Sequence, residues 1–576
     1  MLLEGFSDHF ILIPLFMSLT PQLGTVLFLH FVYVIFMALA SLKCITRLHS
    51  YTKNLSNLSA INNIYHCQEG DIFRDKYSDF CNIHRNFYSK ACRASRNKNR
   101  LAVVKESINS QRAVRQYCSK TENYLLSSCP TIFVDFLKSK KINRCFFVWS
   151  ESENKVVASH PELKEIEDWL NDSKNPHYLQ HEAIFLAVGM RTNCLLGAFL
   201  WKVDRGQACG GIRMTPFTSV EHYLGEGLRL SRRLGVKSAL AGLWVSGGKG
   251  LILEPKDRQH IQPEFRQKIF YDYGDFLSSL NGCYIAGMDT GVNAFDLFNI
   301  HTHTRWVVSG PEDIGGSGNA AAILGKGLLC AMEAALNFLG AGDLSGMKVA
   351  IQGAGGIGLA VASGLLDRHA AHVYVTDTSK KSIGDLHDAL ASKARGRLKV
   401  EKVSIGDNAI VGYDCDIFAP CAVGHVLTPE TILNIKAKIV CGSANALLAS
   451  ENDTSLLVER DVTYVPEFIP NRMAFVNAAN ENYGRIYRDP AIERHFDKNW
   501  EHSIYYLTQE TLKRASEKNI TVIEAAYQMA DVYIQQKHPL WPDRTKNIIK
   551  SLVEGQWHHG QDFWRKRRNF AKSDCT

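Results

Sequence analysis

The chain has 576 residues, enough for two or three domains with complete cores, and its 45% hydrophobic and 22% charged residues are typical of a globular protein. The formal net charge of +8 comes largely from one basic segment, residues 85–115. We interpret this segment as a solvated linker or a membrane-facing collar, so no nucleic-acid partner is expected. Fifteen irregularly spaced cysteines form neither a zinc pattern nor a disulfide framework, which favours a reducing compartment for the main body.

Residues 1–48 contain an uncharged apolar run from Gly24 to Leu42. A helix of this length can cross a hydrocarbon core of about 30 Å, so we predict a single transmembrane segment. Acidic residues precede the run and basic residues follow it, which places the rest of the chain in the cytosol by the positive-inside rule. If an incorrect first exon has added this segment, the protein would be cytoplasmic. Residues 49–130 are predicted to be a basic linker.

The stretch from Gly210 to Lys249 opens and closes with glycine pairs. Thr218 and Glu221 have the spacing of a capping box, and the helix that follows is expected to stop at Gly235, leaving Lys237 just beyond it. Lys249 follows Gly247-Gly248, where the absence of side chains would let a ligand approach the backbone. The two lysines could bind one small anion, or both could be solvated surface lysines.

Strands are predicted at residues 145–149 and 182–188, and a helix at residues 257–281. The next strand begins at Tyr284 and ends at Asp289, before Thr290-Gly291. An aspartate at the end of a strand most often forms a turn or a cap, and the pattern alone assigns it no other role.

A dinucleotide-binding module is indicated by a β-prone run at residues 348–352, the glycine motif Gly353-Ala-Gly-Gly-Ile-Gly358 and a helical stretch over residues 359–366. Such glycines allow a tight turn and let backbone N–H groups approach a pyrophosphate. Asp377 closes the following strand, where a carboxylate binds the adenosine ribose and repels a 2′-phosphate, favouring NAD over NADP. Further strands at residues 416–419, 439–442 and 462–466 predict a parallel doubly wound sheet.

From about Phe133 onward, the chain resembles the glutamate/leucine/phenylalanine/valine dehydrogenase superfamily, and most closely its leucine dehydrogenase branch. The resemblance rests on GGIRM at Gly210, Lys237, SGGK ending at Lys249, Asp289, SGN at residues 317–319, the dinucleotide glycines, CDIFAPCA at Cys415, GSAN ending at Asn445, and Asn471. It implies an α/β fold with a substrate/catalytic domain at residues 131–310, a Rossmann NAD-binding domain at 311–482, a cleft between them, and a helical C-terminal segment with a basic tail at 483–576.

The resemblance also implies the roles of individual residues. Lys249 and Asp289 would be the catalytic pair, and Lys237, Gly210, Gly211 and Asn471 would bind the substrate. The residues expected to bind NAD are Asn319, Gly353, Gly355, Gly356, Ile357, Gly358, Asp377, Ala419, Cys421 and Asn445. The implied reaction is oxidative deamination, in which hydride passes to NAD and the imine is hydrolysed to a 2-oxo acid and ammonia.

The expected substrate is an apolar L-amino acid or its 2-oxo acid. The glutamate branch has a lysine directly before the first glycine pair, where it binds the distal carboxylate, but this chain has Cys209 there. Family members are commonly homo-oligomers, so a homo-oligomer is expected. No metal is expected, because His301 and His303 have no evident third ligand and are interpreted as structural.

Two positions depart from the family pattern. Leu324 stands where a threonine is usual near the nicotinamide, and Asn471-Arg472-Met473-Ala474 replaces Asn-Ala-Gly-Gly. These changes leave two hypotheses open: an NAD-dependent dehydrogenase with altered specificity, or a catalytically diverged dinucleotide-binding sensor or scaffold.

Overall fold

The computed structural model describes residues 124–255, 261–484 and 486–560. The predicted transmembrane segment and most of the basic linker lie outside these residues. Among the described helices, Ala321–Phe338 is long and apolar enough to span a membrane by length and composition alone, and 56% of its apolar window is buried inside the protein. The prediction of an N-terminal anchor is therefore not tested by this structure.

The first part of the described chain forms a mixed seven-stranded sheet, which we call the mixed-sheet lobe. Its strands are β1 (Arg144–Ser150), β2 (Lys155–Ala158), β3 (His181–Val188), β4 (Leu195–Trp201), β5 (Ala208–Thr215), β6 (Ser246–Leu253) and β7 (Tyr284–Met288). The spatial order is β2-β1-β3-β4-β6-β5-β7, with β5 parallel to both β6 and β7 and the remaining pairs antiparallel. The parallel part of this sheet therefore brings the ends of β5, β6 and β7 together.

Six helices belong to this lobe: α1 (Tyr124–Ser127), α2 (Pro130–Ser139), α3 (Lys164–Asn171), α4 (Val220–Leu240), α5 (Pro263–Ser279) and α6 (Ala294–His301). Helix α4 is the longest, and its two halves enter different cores. Val220 and Leu224 pack into a core beneath the mixed sheet, whereas Val236 and Leu240 pack with the residues of the second lobe. The C-terminal end of α4 consequently lies where the two lobes meet.

A second sheet, entirely parallel, forms the parallel-sheet lobe. Its strands are β8 (Lys348–Gln352), β9 (His372–Asp377), β10 (Leu398–Lys402), β11 (Ile417–Pro420), β12 (Ile439–Cys441) and β13 (Thr463–Val465). The order β10-β9-β8-β11-β12-β13 is that of a Rossmann fold, and it reverses direction between β8 and β11. Ligands of such sheets bind at the carboxyl ends of the strands on either side of this reversal.

The remaining helices are α7 (Ala321–Phe338), α8 (Gly356–Asp367), α9 (Lys380–Ala394), α10 (Pro429–Leu433), α11 (Thr454–Glu459), α12 (Met473–Asn480), α13 (Pro490–Glu493), α14 (Ile504–Lys518), α15 (Val522–Ile534) and α16 (Arg544–Glu554). The chain finally returns to the mixed-sheet lobe. Trp557 is buried there, its ring centroid 5.1 Å from that of Phe185, and its indole N–H donates to Ser279.

Helix α4 corrects two of the local predictions. Its N-cap is Ser219, which accepts from the His222 N–H, so the capping box assigned to Thr218 is wrong. Gly235 does not end the helix, and Lys237 lies in its last turn. A Cβ at Gly235 would lie 2.3 Å from the Trp201 ring, so this glycine lets the helix pack closely on β4.

Candidate active site

Lys249 and Asp289 come together across β5, which lies between β6 and β7 in the sheet. Lys249 is the fourth residue of β6 and only 3% exposed, while Asp289 directly follows β7. The Lys249 ammonium donates to Asp289 Oδ2. Burial lowers the pKa of Lys249, and the Asp289 carboxylate opposes that shift. The pair predicted from the sequence motifs therefore forms a buried, hydrogen-bonded ion pair.

Arg213 of β5 is a second cation on the same carboxylate oxygen. Its Nε atom lies 3.0 Å from Asp289 Oδ2, and its Nη1 atom lies 2.5 Å from Glu226 on α4. Arg229 bonds the other oxygen of Glu226 at 2.6 Å. Although burial alone raises the pKa of Asp289, Lys249 and Arg213 together lower it well below the usual range of a carboxyl.

Lys237 faces the same region from the last turn of α4. It is 9% exposed, and its ammonium has no hydrogen-bond or ion-pair partner among the residues that the structure describes. Burial lowers its pKa to about 8, and the charges of Asp289 and Lys249 lie near enough to affect it. At neutral pH Lys237 is thus a largely protonated, desolvated cation available to an anion.

An ion pair ties α4 to the parallel-sheet lobe near this lysine. Arg233, one turn before Lys237, bonds Glu467 at 2.7 Å, and that carboxylate also accepts from Ala446 N–H and Tyr464 O–H. Glu467 is 3% exposed and lies two residues after β13. The lysine-bearing end of α4 is therefore fixed against the second lobe.

Both glycine pairs lie within strands and allow close packing. Gly210 and Gly211 lie within β5, and Gly247 and Gly248 lie within β6. A Cβ at Gly210 would lie 1.9 Å from Gly248 O, and one at Gly247 would lie 2.2 Å from Ser231 O. Close packing between the strands and onto α4 excludes side chains here. The approach of a ligand to the backbone at these glycines stays a prediction.

The dinucleotide motif forms a cradle at the carboxyl end of β8. Gly353 has φ +110° and Gly358 packs against its carbonyl, whereas a Cβ at Gly355 would meet no atom within 4 Å. Helix α8 begins at Gly356 with no side-chain cap, which leaves its first N–H groups available to an anion. Asp377 ends β9, and its carboxylate accepts from Ala354 N–H at 2.7 Å.

The other residues predicted to bind NAD surround this edge. Ile357 is half-buried in the first turn of α8, Ala419 is buried in β11, and Cys421 follows that strand with its N–H donating to Gln352 O. Asn319 is exposed and its side-chain oxygen accepts from the N–H of Ala321, the first residue of α7, and Asn445 is exposed after β12. Their individual contacts with a cofactor stay predictions.

A dinucleotide fits the chemistry of this edge. In addition to the open cradle, the buried Gln352 Oε1 and Asn471 Oδ1 atoms have no hydrogen-bond partner within the described part of the chain. Both are acceptors next to the carboxyl ends of parallel strands, where ribose and carboxamide groups can donate. Asn471 also donates to Ser443 O at 3.0 Å and to Asn445 Oδ1 at 3.1 Å.

Sequence reasoning missed Arg213, Glu226, Arg233 and Glu467 as parts of the site. A signal was present in α4, where Glu226, Arg229, Arg233 and Lys237 recur at helical spacing along one face of the helix. No group of three or more His, Cys, Asp or Glu residues in the described ranges could hold a metal ion, and His303 bonds Asp275 at 2.7 Å.

Comparison with known proteins identifies relatives of this arrangement. Residues 315–538 match the family described as glutamate/leucine/phenylalanine/valine dehydrogenase. The chain is 31% identical to phenylalanine dehydrogenase of Caldalkalibacillus thermarum over 62% of this chain and 92% of that protein, and 31% identical to leucine dehydrogenase of Geobacillus stearothermophilus over 57% and 84%. It is also similar to the crystal structure of L-tryptophan dehydrogenase from Nostoc punctiforme, with 26% identity, a TM-score of 0.50, and coverage of 62% of this chain and 94% of that one.

Proposed function

Because this chain belongs to the glutamate/leucine/phenylalanine/valine dehydrogenase family and is an NAD-dependent amino-acid dehydrogenase, we propose that it oxidatively deaminates an apolar L-amino acid to its 2-oxo acid and ammonia. The observation that carries this proposal is the placement of the buried Lys237, which has no partner within the described ranges, beside the Lys249–Asp289 ion pair. One cation is available to bind a carboxylate, and an adjacent acid–base pair can move protons.

Each residue has a defined task in this scheme. The Lys237 ammonium binds the α-carboxylate of the substrate, which replaces the water lost on burial with a charge-assisted hydrogen bond. Lys249 stabilises negative charge on the oxygen of the attacking water and of the carbinolamine, because a buried ammonium acts strongly at low dielectric. Asp289 takes up and returns the protons, and Arg213 holds its carboxylate in place.

NAD supplies the hydride acceptor when it is bound. The N-terminus of α8 and the open Gly355 cradle would hold its pyrophosphate, and Asp377 would accept hydrogen bonds from the adenosine ribose. A carboxylate at Asp377 disfavours the additional phosphate of NADP by charge repulsion, which supports NAD as the cofactor.

Two features of the mixed-sheet lobe support an apolar substrate. Cys209 is buried in a small apolar cluster with Ile285, Val308 and Ala478, which joins β5 and β7 to α12. The neighbouring cluster members Phe475 and Trp306 add no charge. Burial, with a smaller contribution from the charge of Glu481, raises the pKa of Cys209 to about 12. A carboxylate so close to Cys209 would repel the distal carboxylate of glutamate.

The test uses the purified full-length chain with NAD and each standard L-amino acid, followed by the absorbance of NADH. We expect turnover with one or more apolar amino acids, and its loss in Lys249→Ala with retained NADH binding. Preferential turnover of glutamate or aspartate would overturn the substrate assignment. Turnover that persists in Lys249→Ala would remove the proposed role of that lysine.

Membrane attachment through the N-terminal segment, a cytosolic location of the body and assembly as a homo-oligomer stay proposals. Extraction of cell membranes with alkaline carbonate tests the first, because an integral protein stays in the pellet. Protease protection of sealed vesicles tests the second, and light scattering of the purified protein gives the number of subunits.

A further inference from the structure

Arg472 is a buried cation without an acidic partner. Its side chain is fully buried, and it forms no ion pair among the described residues. Its guanidinium donates to Leu240 O at 3.2 Å, to His502 O, and to His495 Nδ1 at 3.3 Å. Burying a guanidinium among neutral groups is costly unless its hydrogen bonds are made, so its neutral partners must be held in place.

These partners fix the C-terminal end of α4. Leu240 is the last residue of that helix, and its carbonyl accepts from Arg472 and lies 3.1 Å from His502 Nδ1. The ring of His502 packs over the next turn, where a Cβ at Gly242 would lie 2.7 Å away. The last carbonyls of a helix lack intrahelical donors and carry partial negative charge, so a cation stabilises them. Lys237 lies one turn before this end.

The other side of Arg472 is fastened to the parallel-sheet lobe. Asn471 precedes it and donates to Ser443 O and Asn445 Oδ1 at the cofactor edge. Pro470–Arg472 form a short 3-10 helix, and a Cβ at Gly327 of α7 would lie 2.6 Å from Pro470 O. Arg472 is thus attached through its backbone to one lobe and through its guanidinium to the end of α4.

We propose that Arg472 is a positioning residue that fixes Lys237 relative to the cofactor edge by holding the end of α4 against the Asn471 segment. The inference rests on the proposed function for the role of Lys237. Burial lowers the pKa of Arg472 to about 9, so it is still charged at neutral pH, and burial lowers that of His495 to about 2, so its imidazole is neutral. Because a guanidinium can only donate, the Nδ1 atom of His495 is the acceptor in this bond.

The test compares Arg472→Met with Arg397→Met in the full-length protein. Arg397 is a matched control, because it also donates to backbone carbonyls near a helix end, those of Leu366 and Ala370, but lies in the parallel-sheet lobe. In Arg472→Met we expect the KM for the amino acid to rise about tenfold, which corresponds to a loss of about 1.4 kcal/mol in binding free energy. We expect a smaller change in kcat and no change in NADH affinity. We expect none of these changes in Arg397→Met.

Hydrogen exchange at the amides of residues 238–243 provides a readout that needs no turnover. It should accelerate in Arg472→Met and not in the control. Unchanged exchange and KM, or equal changes in both variants, would overturn the proposal. Wild-type protein without turnover would instead contradict the proposed function, and the exchange result would still decide the role of Arg472.

Arg472→Lys replaces Arg472→Met as the test variant if the methionine variant does not fold. In the wild type, Nη1 bonds Leu240 O while Nη2 bonds His502 O and His495 Nδ1. Lysine carries its three N–H donors on a single nitrogen, which cannot occupy both of these positions. We expect exchange and KM between those of wild type and the methionine variant. Wild-type values of both would contradict the positioning role.

Discussion

At the scale of single residues, the charge around Asp289 decides how the site can move protons. Lys249 and Arg213 both donate to its Oδ2 atom, and the charge of Lys237 lies nearby. Surrounded by three cations, the carboxylate binds a proton weakly. Its basicity increases when one of these cations is neutralised, and burial has already lowered the pKa values of both lysines. Proton loss from a lysine and proton uptake by Asp289 are therefore coupled.

Replacing Arg213 with methionine should raise the pKa of Asp289. The charged form loses one charge-assisted hydrogen bond, worth about 1.5–3 kcal/mol, or about one to two pH units. The acidic limb of the kcat/KM profile should move to higher pH by this amount. Arg229→Met is the control, since Arg229 bonds Glu226 and, within the described residues, forms neither a hydrogen bond nor an ion pair with Asp289. A limb that stays at its wild-type pH in Arg213→Met would contradict the assignment.

Cys209→Lys should shift substrate preference toward glutamate. The new ammonium would lie in the apolar cluster near Glu481, where it offers a partner to a distal carboxylate and penalises an apolar side chain. We expect kcat/KM for the best apolar amino acid to fall at least tenfold, about 1.4 kcal/mol. Cys209→Met, of similar length and without charge, should keep the apolar preference. An equal loss in both variants would show a packing defect instead of a change in specificity.

The residues of the site were predictable in part. Lys237, Lys249 and Asp289 lie in motifs that the chain shares with a known family, and the structure brings them together. Arg213 was part of a motif but received no role, because nothing local shows that β5 and β7 are neighbours. The partners of Arg472 come from α4 and from the segment before α14, so only the fold reveals them.

At the scale of elements, two strands with apolar runs were predicted closely, whereas the apolar and fully buried strand β4 was not predicted. The run at residues 348–352 is β8 to the residue, and the run at 182–188 differs from β3 by one residue. β10 was not predicted, because charged residues alternate along this edge strand and hide its pattern. The predicted stop at Gly235 failed for a non-local reason, which is contact with Trp201. A sequence pattern shows that a glycine could end a helix. It does not show whether the glycine is there because a neighbouring side chain leaves no room for a Cβ.

Two glycine-to-alanine substitutions in helices should therefore change the free energy of unfolding in opposite directions. Gly235→Ala in α4 should destabilise the protein by about 1–3 kcal/mol, because its Cβ would lie 2.3 Å from the Trp201 ring and overpack the interface. A Cβ at Gly384 in α9 would meet no atom within 4 Å. Gly384→Ala should therefore stabilise the protein by about 0.5–1 kcal/mol, because alanine has the higher helix propensity. Urea unfolding at pH 7.5 measures both. A stabilising Gly235→Ala would show that this contact relaxes freely.

At the scale of the whole molecule, buried neutral histidines set the acid limit of stability. His181 is 1% exposed, with Nε2 2.9 Å from Leu228 O and Nδ1 accepting from Leu179 N–H. A second proton would face that N–H group and the charges of Arg232 and Lys202. Burial lowers its pKa to about 3. The native state therefore resists protonation over a pH range in which the unfolded chain accepts it.

Stability should consequently fall as the pH decreases below about 6.5, the ordinary histidine pKa. Above that value the contribution of His181 is fully present, and it is lost at about 1.4 kcal/mol per pH unit toward the folded pKa. Between pH 7.5 and 5.5 wild type should lose about 1.4 kcal/mol more free energy of unfolding than His181→Gln, which keeps a donor for Leu228. Equal losses, measured by urea unfolding, would assign the acid sensitivity to other groups.

The return of Trp557 to the mixed sheet has a consequence for biosynthesis. A ribosome delivers the chain in order, so β1 to β7 emerge long before the indole that packs on Phe185 and bonds Ser279. During that interval the core of the mixed-sheet lobe stays incomplete and its apolar surface is exposed to chaperones and aggregation. A premature stop codon in α16 would therefore damage the lobe that is synthesised first, although more than 300 residues separate the lesion from β3.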